Sequence, residues 1–141
     1  MLIEPYKSVG NLLFTDNRQQ IRKKLNESFI SGVKGVTDYY DYFESSGLFV
    51  YYDKNDSINA FEFFDSKPLF NSVNLVAVYY IPLLILFKEL DPKLIIDYNS
   101  FTSNKYGIGI NTNDDPESNS ALSEAVIIFK KGYYDSLSNG S

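Results

Sequence analysis

The chain has 141 residues and contains neither cysteine nor histidine. Disulfides, thiolate chemistry, zinc–thiolate sites and every nucleophile that needs an imidazole base are therefore excluded. The formal net charge of −5 disfavours direct contact with nucleic acid, whose phosphates would repel the protein, but it favours encounter with a basic protein surface.

Length and hydropathy predict one domain over residues 1–141, since a domain usually holds about 100 to 200 residues. The amino terminus lacks the basic and apolar segments of a secretory signal. The most apolar stretch, residues 75–87, is too short to cross a bilayer and contains Pro82. We therefore expect a cytoplasmic protein without membrane contact. An ordinary hydrophobic fraction of 44% predicts folding without metal or disulfides.

The first predicted elements are a short strand at residues 11–14 and a helix capped by Thr15 or Asp16. Ile21 and Leu25 lie four residues apart and give this helix one apolar face. The cationic residues of the helix are expected to face water; they are Arg18, Arg22, Lys23 and Lys24. Residues 31–36 contain two glycines and are expected to form a flexible connection.

Residues 47–64 predict a β-hairpin around which the sheet is organised. Aromatic and β-branched residues fill 47–53, a polar turn follows at 54–57, and apolar residues recur through 58–64. Residues 38–44 predict a preceding strand, in which Tyr40 and Tyr42 share one face with Asp38 and Glu44. Tyr39, Asp41 and Phe43 lie on the other face. A three-stranded meander is the expected result.

The second half of the chain predicts the same types of element. The predicted elements are a strand at 69–77 broken near Asn71 or Asn74, a helix from about Tyr80 to Leu90, strands at 93–98, 106–111 and 125–131, a turn at 99–104, and an acidic loop at 111–123. Residues 48–50 correspond to 108–110, and residues 60–64 to 125–129. We therefore predict two pseudo-repeated strand–helix–strands units, at about residues 8–66 and 67–135. The fold class is α+β, a twisted antiparallel sheet with two helices packed on one face.

Four segments of the chain carry a resemblance: Gly47-Leu-Phe-Val-Tyr-Tyr-Asp53, Glu62-Phe-Phe64, Phe129-Lys-Lys-Gly-Tyr-Tyr-Asp135 and Arg18-x-x-Ile21-Arg22-x-x-Leu25. They resemble motifs of a small bacterial family of tandem-repeat α+β proteins. The chain departs from the family at Phe14-Thr15-Asp16, where the family has Gly-Met-Ser/Thr, and at Asn26, which replaces a capping glycine. Some members are similar to immunity proteins of contact-dependent growth inhibition and other polymorphic toxin systems. The resemblance implies a cytoplasmic inhibitor of a delivered toxin, often a nuclease.

The acidic residues are the candidate binding residues, because a carboxylate patch with tyrosines can occupy the basic active site of a nuclease. The first-ranked set is Asp38, Tyr39, Asp41, Tyr42 and Glu44; next are Asp53 and Asp56 at the hairpin tip, and last Asp114, Asp115 and Glu117. The alternative for all of them is a solvated surface. The calcium-loop pattern that starts at Asp53 fails, since Ile58 and Phe64 replace the required Gly and Glu.

The sequence thus predicts a non-enzymatic immunity protein that binds a cognate toxin domain with a basic surface and blocks its active site or its substrate. No cofactor, metal site or catalytic residue is expected. The alternative is a housekeeping interaction module without a toxin partner. A carboxylate-dependent hydrolase, with Asp41 as its best candidate acid, ranks last because His, Cys and a nucleophile motif are missing.

Overall fold

Antiparallel strands dominate the structure. The computed structural model describes residues 1–35, 38–65 and 67–134, which form thirteen strands and two α-helices. In chain order these are β1 (Ile3–Glu4), β2 (Ser8–Val9), β3 (Leu12–Leu13), α1 (Arg18–Leu25), β4 (Ile30–Lys34), β5 (Asp38–Phe43), β6 (Leu48–Tyr52), β7 (Ile58–Phe63), β8 (Leu69–Phe70), β9 (Val73–Asn74), α2 (Tyr80–Leu90), β10 (Ile95–Ile96), β11 (Ser100–Ser103), β12 (Ile108–Thr112) and β13 (Ser123–Phe129).

Eight of these strands form one large sheet, in the order β10-β11-β12-β13-β7-β6-β5-β4. It consists of two antiparallel meanders, β4 to β7 and β10 to β13, which join where β13 pairs with β7. One helix precedes each meander in the chain. The predicted α+β class, with a large antiparallel sheet and two helices, is confirmed, and so is the central hairpin of β6 and β7.

Helix α1 begins one residue later than the predicted caps. Asn17 is the cap: its side chain accepts the N–H of Gln20, and the Gln20 side chain accepts the N–H of Asn17. This reciprocal pair satisfies two first-turn amides that otherwise lack partners. Asp16 instead accepts a hydrogen bond from Lys24 of the same helix, at 2.6 Å.

Helix α2 matches its prediction at both ends. Pro82 lies in the first turn, where a missing N–H costs nothing, and Pro92 follows the capping residue Asp91. Leu83 and Phe87 point into the protein and are buried.

Both helices lie on the same face of the large sheet. Ile21 of α1 and Phe87 of α2 belong to one buried cluster with Phe61, Phe63 and Phe101 of the sheet. The opposite face carries a smaller cluster, whose buried members are Tyr51, Ala60, Phe129 and Tyr133. None of these residues belongs to either helix. We call the two faces of the sheet the helix-covered face and the open face.

Three sequence predictions of local structure were wrong. Most of the expected connection at residues 31–36 belongs to the edge strand β4, whose five residues all pair with β5. Residue 36 lies outside the described residues. The expected turn at 99–104 contains β11, which buried Phe101 anchors to the core. The predicted strand at 93–98 shortens to β10. Pairing with a neighbouring strand overrides local composition in β4 and in β11. In β10 only two residues pair with β11, and their side chains are about half exposed.

Candidate protein-binding surface

Asp41 lies on the helix-covered face and is fully buried beneath α1. Arg18 and Arg22 are four residues apart on that helix, so both reach the same carboxylate. Arg18 donates to Asp41 Oδ1 at 2.8 Å, and Arg22 donates to Oδ2 at 2.8 Å and to Oδ1 at 3.0 Å. Ser31 of β4 adds a hydrogen bond of 2.6 Å. Both carboxylate oxygens are therefore satisfied by the chain itself.

This cluster corrects two expectations. Arg18 and Arg22 do not face water, since only 14% and 24% of their side chains are exposed. Asp41 cannot belong to an accessible acidic surface. Burial alone would raise the pKa of Asp41, but hydrogen bonds from Arg22, Arg18 and Ser31 outweigh burial and lower the pKa to about 2. A carboxylate that stays ionised is a poor general acid. Because Arg18 and Arg22 of α1 both bond to Asp41 of β5, the cluster holds α1 against the sheet.

Asp38 lies on the open face, and both of its carboxylate oxygens also accept hydrogen bonds from the chain. Its Oδ1 accepts a hydrogen bond from Asn59 and its Oδ2 one from the Tyr133 hydroxyl, both at 2.8 Å. Burial, followed by the hydrogen bond to Asp38, raises the pKa of Tyr133 well above its ordinary value. The neutral hydroxyl remains a donor and holds the turn after β13 against the sheet.

The remaining predicted acids do not form one surface. The strand directions put the turn with Asp53 and Asp56 at one end of the sheet. Glu44 follows β5 at the other end, which is also the end that carries the loop between β12 and β13. The acids of that loop are Asp114, Asp115 and Glu117, and strand β7 lies between the hairpin of β12 and β13 and the pair of β5 and β6 that Glu44 connects. The turn with Asp53 and Asp56 thus lies at the opposite end of the large sheet from Glu44 and from the loop between β12 and β13.

Several of these acids stabilise their own turns. Asp53 accepts the N–H groups of Asn55 and Ser57, at 2.8 and 3.0 Å. Asp115 accepts the N–H of Glu117 at 3.0 Å. Such side-chain to backbone bonds are the ordinary reason for Asp in a tight turn. Their charges can attract a basic partner over a distance, but they supply no shared contact surface.

Aromatic side chains cover the half of the open face formed by the first meander. We call this the aromatic patch; its members are Tyr40, Tyr42, Phe49, Tyr51 and Phe64. Phe49 stands at the centre, stacked on Tyr42 with ring centres 4.3 Å apart. The rings of Tyr40 and Phe64 meet it edge-on, at 5.3 and 5.7 Å. Phe64 is 42% exposed, so the patch reaches solvent.

Gly32 of the edge strand makes room for one of these rings. A Cβ atom on Gly32 would lie 2.5 Å from the hydroxyl end of Tyr40. The ring of Tyr40 therefore lies across β4 at its paired residue. Covering a glycine of an edge strand with an aromatic ring from the paired strand is a recurrent feature of β-sheets. The pocket described below lies beside the Tyr40 ring.

Glu62 lies in the middle of the open face beside the aromatic patch. It pairs with Phe49 across the strands, and its Oε1 accepts a hydrogen bond of 2.6 Å from the Tyr51 hydroxyl. Lys34 Nζ approaches the same oxygen only to 3.9 Å. A pocket of about 320 Å³ lies between Lys34, Glu62, Phe64 and the neighbouring patch residues.

The structure therefore separates the five first-ranked residues. Tyr42 lies in the aromatic patch and Asp38 on the same face, whereas Tyr39 and Asp41 lie on the helix-covered side and Glu44 in a turn. Phe49, Glu62 and Phe64 were not among the candidate residues that the sequence suggested. The strand alternation that puts Glu62 and Phe64 on one face was a usable signal, since a polar group that lies among apolar side chains is more informative than an exposed one.

A second surface feature is an apolar groove of about 360 Å³ beside α2, lined by residues such as Val73, Tyr79, Pro82 and Leu86. Its lining also contains Asn74, whose side chain bonds to the backbone of Val76 through both its donor and its acceptor, and Tyr79, which is 58% exposed. The lining of the groove is thus mainly apolar.

Within residues 1–35, 38–65 and 67–134, no group of three or more acidic residues is placed to hold a metal ion. In the same part of the chain no helix is long and apolar enough to span a membrane. No protein-family model, no curated protein and no solved structure matches this chain significantly.

Proposed function

We propose that this protein is a cytoplasmic immunity protein that binds a cognate bacterial toxin domain and neutralises it without catalysis. The observation that carries the proposal is the aromatic patch around Glu62 on the open face. Tyrosine and phenylalanine are enriched at protein–protein interfaces, and tyrosine is also enriched among the residues that contribute most of the binding energy.

The chemistry of this surface favours a basic protein partner. The protein has a net charge of −5, and its acidic turns project from both ends of the sheet. Opposite charge speeds the encounter, while the aromatic patch supplies the area that slows dissociation. A toxin domain that handles nucleic acid must present cations to phosphate, so its active-site rim has the required charge.

The edge strand β4 extends this surface. Ile30 and Val33 are 63% and 59% exposed, and in the described part of the sheet β4 pairs on one side only, with β5. Exposed apolar side chains on an unpaired edge are suited to contact with another chain. We infer that the partner covers both the patch and this edge.

We also propose that the predicted pseudo-repeat underlies the sheet. Where β7 and β13 meet, Phe61 pairs with Ile128 and Phe63 with Val126, on either side of the pair of Glu62 and Ile127. The correspondence of residues 60–64 with 125–129 relates these two outer pairs by a two-fold axis. The proposed unit boundaries at Ser66 and Asp135 lie outside the described residues.

A growth assay tests the proposed function. The carboxy-terminal domain of the protein encoded immediately upstream is induced with and without this protein. We expect rescue by the wild type and loss of rescue by the double variant Tyr42→Ala, Phe64→Ala, whose side chains are partly exposed. Tyr98→Ala is the matched control, because Tyr98 is 82% exposed and lies beyond β10 at the far edge.

Two results would contradict the proposal. Toxicity that the wild-type protein does not relieve would remove this toxin partner and favour an interaction module of another kind. Rescue by the double variant equal to that by Tyr98→Ala would keep immunity but exclude the aromatic patch as its surface. Circular dichroism of each variant shows that a loss of rescue is not a loss of fold.

A further inference from the structure

The carboxylate of Glu62 has fewer partners than its surroundings call for. Only 17% of its side chain is exposed, and within the described residues the one hydrogen bond it accepts is that from Tyr51. A largely buried carboxylate is costly unless it is paired and hydrogen-bonded. Asp41, by comparison, accepts hydrogen bonds from two arginines and a serine.

Lys34 is a weak counter-ion for Glu62. Its ammonium lies 3.9 Å from Oε1, and 63% of its side chain is exposed. Exposed ion pairs of this kind contribute little, because water screens the charges and the long side chain loses freedom. The Lys34 ammonium thus lies where a cation can approach Glu62, but it neutralises the carboxylate only weakly.

The walls of the pocket are suited to a cation. The Lys34 ammonium lies 4.9 Å from the centre of the Tyr51 ring, and the rings of Tyr40, Phe49 and Phe64 line the same opening. Aromatic faces attract cations, and guanidinium groups in particular, because they can stack on a ring.

Tyr51 does not compete for that cation as a second anion. Burial, followed by the hydrogen bond to Glu62, raises the pKa of Tyr51 well above its ordinary value. Its hydroxyl stays protonated and donates to Oε1. The second oxygen of Glu62, Oε2, remains available to a bidentate donor such as arginine.

We propose that the pocket bounded by Lys34, Tyr51, Glu62 and Phe64 binds an alkyl guanidinium, the side chain of an arginine presented by the partner, and that Lys34 lies at its mouth in the free protein as a displaceable substitute. The pocket volume of about 320 Å³ is at the small end of ligand pockets, about 300 to 1,000 Å³, and suits one side chain. The inference deepens the proposed function and rests on it for the source of the arginine, but the pocket itself is tested without a toxin.

The test is an NMR titration of the full-length ¹⁵N-labelled protein with N-acetyl-L-arginine amide. We expect saturable shifts at the amides of Lys34, Tyr51, Glu62 and Phe64. The neutral isostere N-acetyl-L-citrulline amide should bind at least about tenfold more weakly, because it lacks the charge that pairs with Glu62.

Variants separate a charge-specific site from a general aromatic surface. Glu62→Gln still accepts the Tyr51 hydrogen bond but should weaken arginine amide at least about tenfold. Asp115→Asn removes the same charge from an exposed loop and should leave the affinity unchanged. Lys34→Ala should tighten binding by about two- to fivefold, as expected when a weak exposed ion pair no longer competes.

The proposal is overturned if citrulline amide gives the same shifts, if no saturable shift occurs at these residues, or if Glu62→Gln binds like the wild type. Its failure can be told apart from that of the proposed function. Arginine-amide binding without rescue in the growth assay would retain the pocket and remove the toxin. Rescue that Glu62→Gln leaves intact would retain immunity and remove the pocket as the partner's contact.

Discussion

Asp41 and Glu62 are carboxylates on opposite faces of the same sheet, and their surroundings differ in one respect. Asp41 lies under α1 with hydrogen bonds from Arg18, Arg22 and Ser31. Glu62 lies among aromatic rings with one hydrogen bond, from Tyr51, and a distant lysine. The charge of Asp41 is neutralised by arginines of the same chain, and this ion pair stabilises the fold. Glu62 lacks a close counter-ion, and this difference distinguishes a candidate binding residue from a structural one.

The largest expected effect follows from breaking the Asp41 cluster. Asp41→Ala leaves two arginines partly buried beside each other without a counter-ion, and loss of one partner of a buried ion pair typically costs about 3 to 5 kcal/mol. We expect the free energy of unfolding in urea to fall by this amount. Asp115→Ala, at an exposed position, should change it by no more than about 0.5 kcal/mol. Equal effects of the two substitutions would contradict a structural role for Asp41.

Acid should remove the same stabilisation. The pKa of Asp41 is lowered from 3.8 to about 2 in the folded protein, so the folded state holds this proton less tightly than the unfolded state does. The stabilisation is therefore present above the unfolded pKa and is lost as the pH falls towards the folded value. We expect a contribution of about 2 kcal/mol from Asp41 to disappear between about pH 5 and pH 2.

Urea titrations at several pH values measure this effect. The matched variant Asp41→Asn lacks the titrating group, so its free energy of unfolding should fall less steeply over the same interval. Wild type and Asp41→Asn with parallel pH profiles would show that other carboxylates, not Asp41, account for the acid sensitivity.

Glu62→Gln should alter stability by less than about 1 kcal/mol, because the glutamine oxygen can still accept the Tyr51 hydrogen bond and no arginine loses its partner. A loss similar to that of Asp41→Ala would mean that Glu62 is a structural residue too. Differential scanning calorimetry of both variants in one buffer makes this comparison directly.

Gly32→Ala should have only a small effect on stability. The added methyl group would meet the flexible end of the Tyr40 side chain, so the ring can turn away at a cost of no more than about 1 kcal/mol. We expect a changed near-UV circular dichroism signal from the aromatic patch with little shift in the unfolding midpoint.

The sequence alone predicted which residues of β5 lie on each face of the sheet, but not which elements cover those faces. Alternation correctly put Tyr40 and Tyr42 opposite Asp41. The position of α1 over Asp41 depends on long-range packing, which local patterns do not contain. The spacing of Arg18 and Arg22 was the available signal, because two cations one helical turn apart can share one buried acid.

Backbone irregularities explain a further part of what was not predicted. A register shift between Tyr51 and Tyr52 puts Ile58 in the core beneath the helices and lets Asn59 bond to Asp38, whereas strict alternation puts Ile58 on the same face as Glu62. Bulges of this kind reverse the facing of the residues beyond them.

The central claim is that Glu62 on the open face, and not the acidic loops, binds the partner. Its most direct test uses the carboxy-terminal domain of the protein encoded immediately upstream, the proposed toxin. The affinity of this domain for the wild type, Glu62→Gln and Asp115→Asn is measured by isothermal titration calorimetry. We expect Glu62→Gln to weaken binding by at least about tenfold, as for a buried interfacial charge, and Asp115→Asn to leave the dissociation constant nearly unchanged. Equal affinity of Glu62→Gln and the wild type, with a marked loss for Asp115→Asn, would contradict the claim.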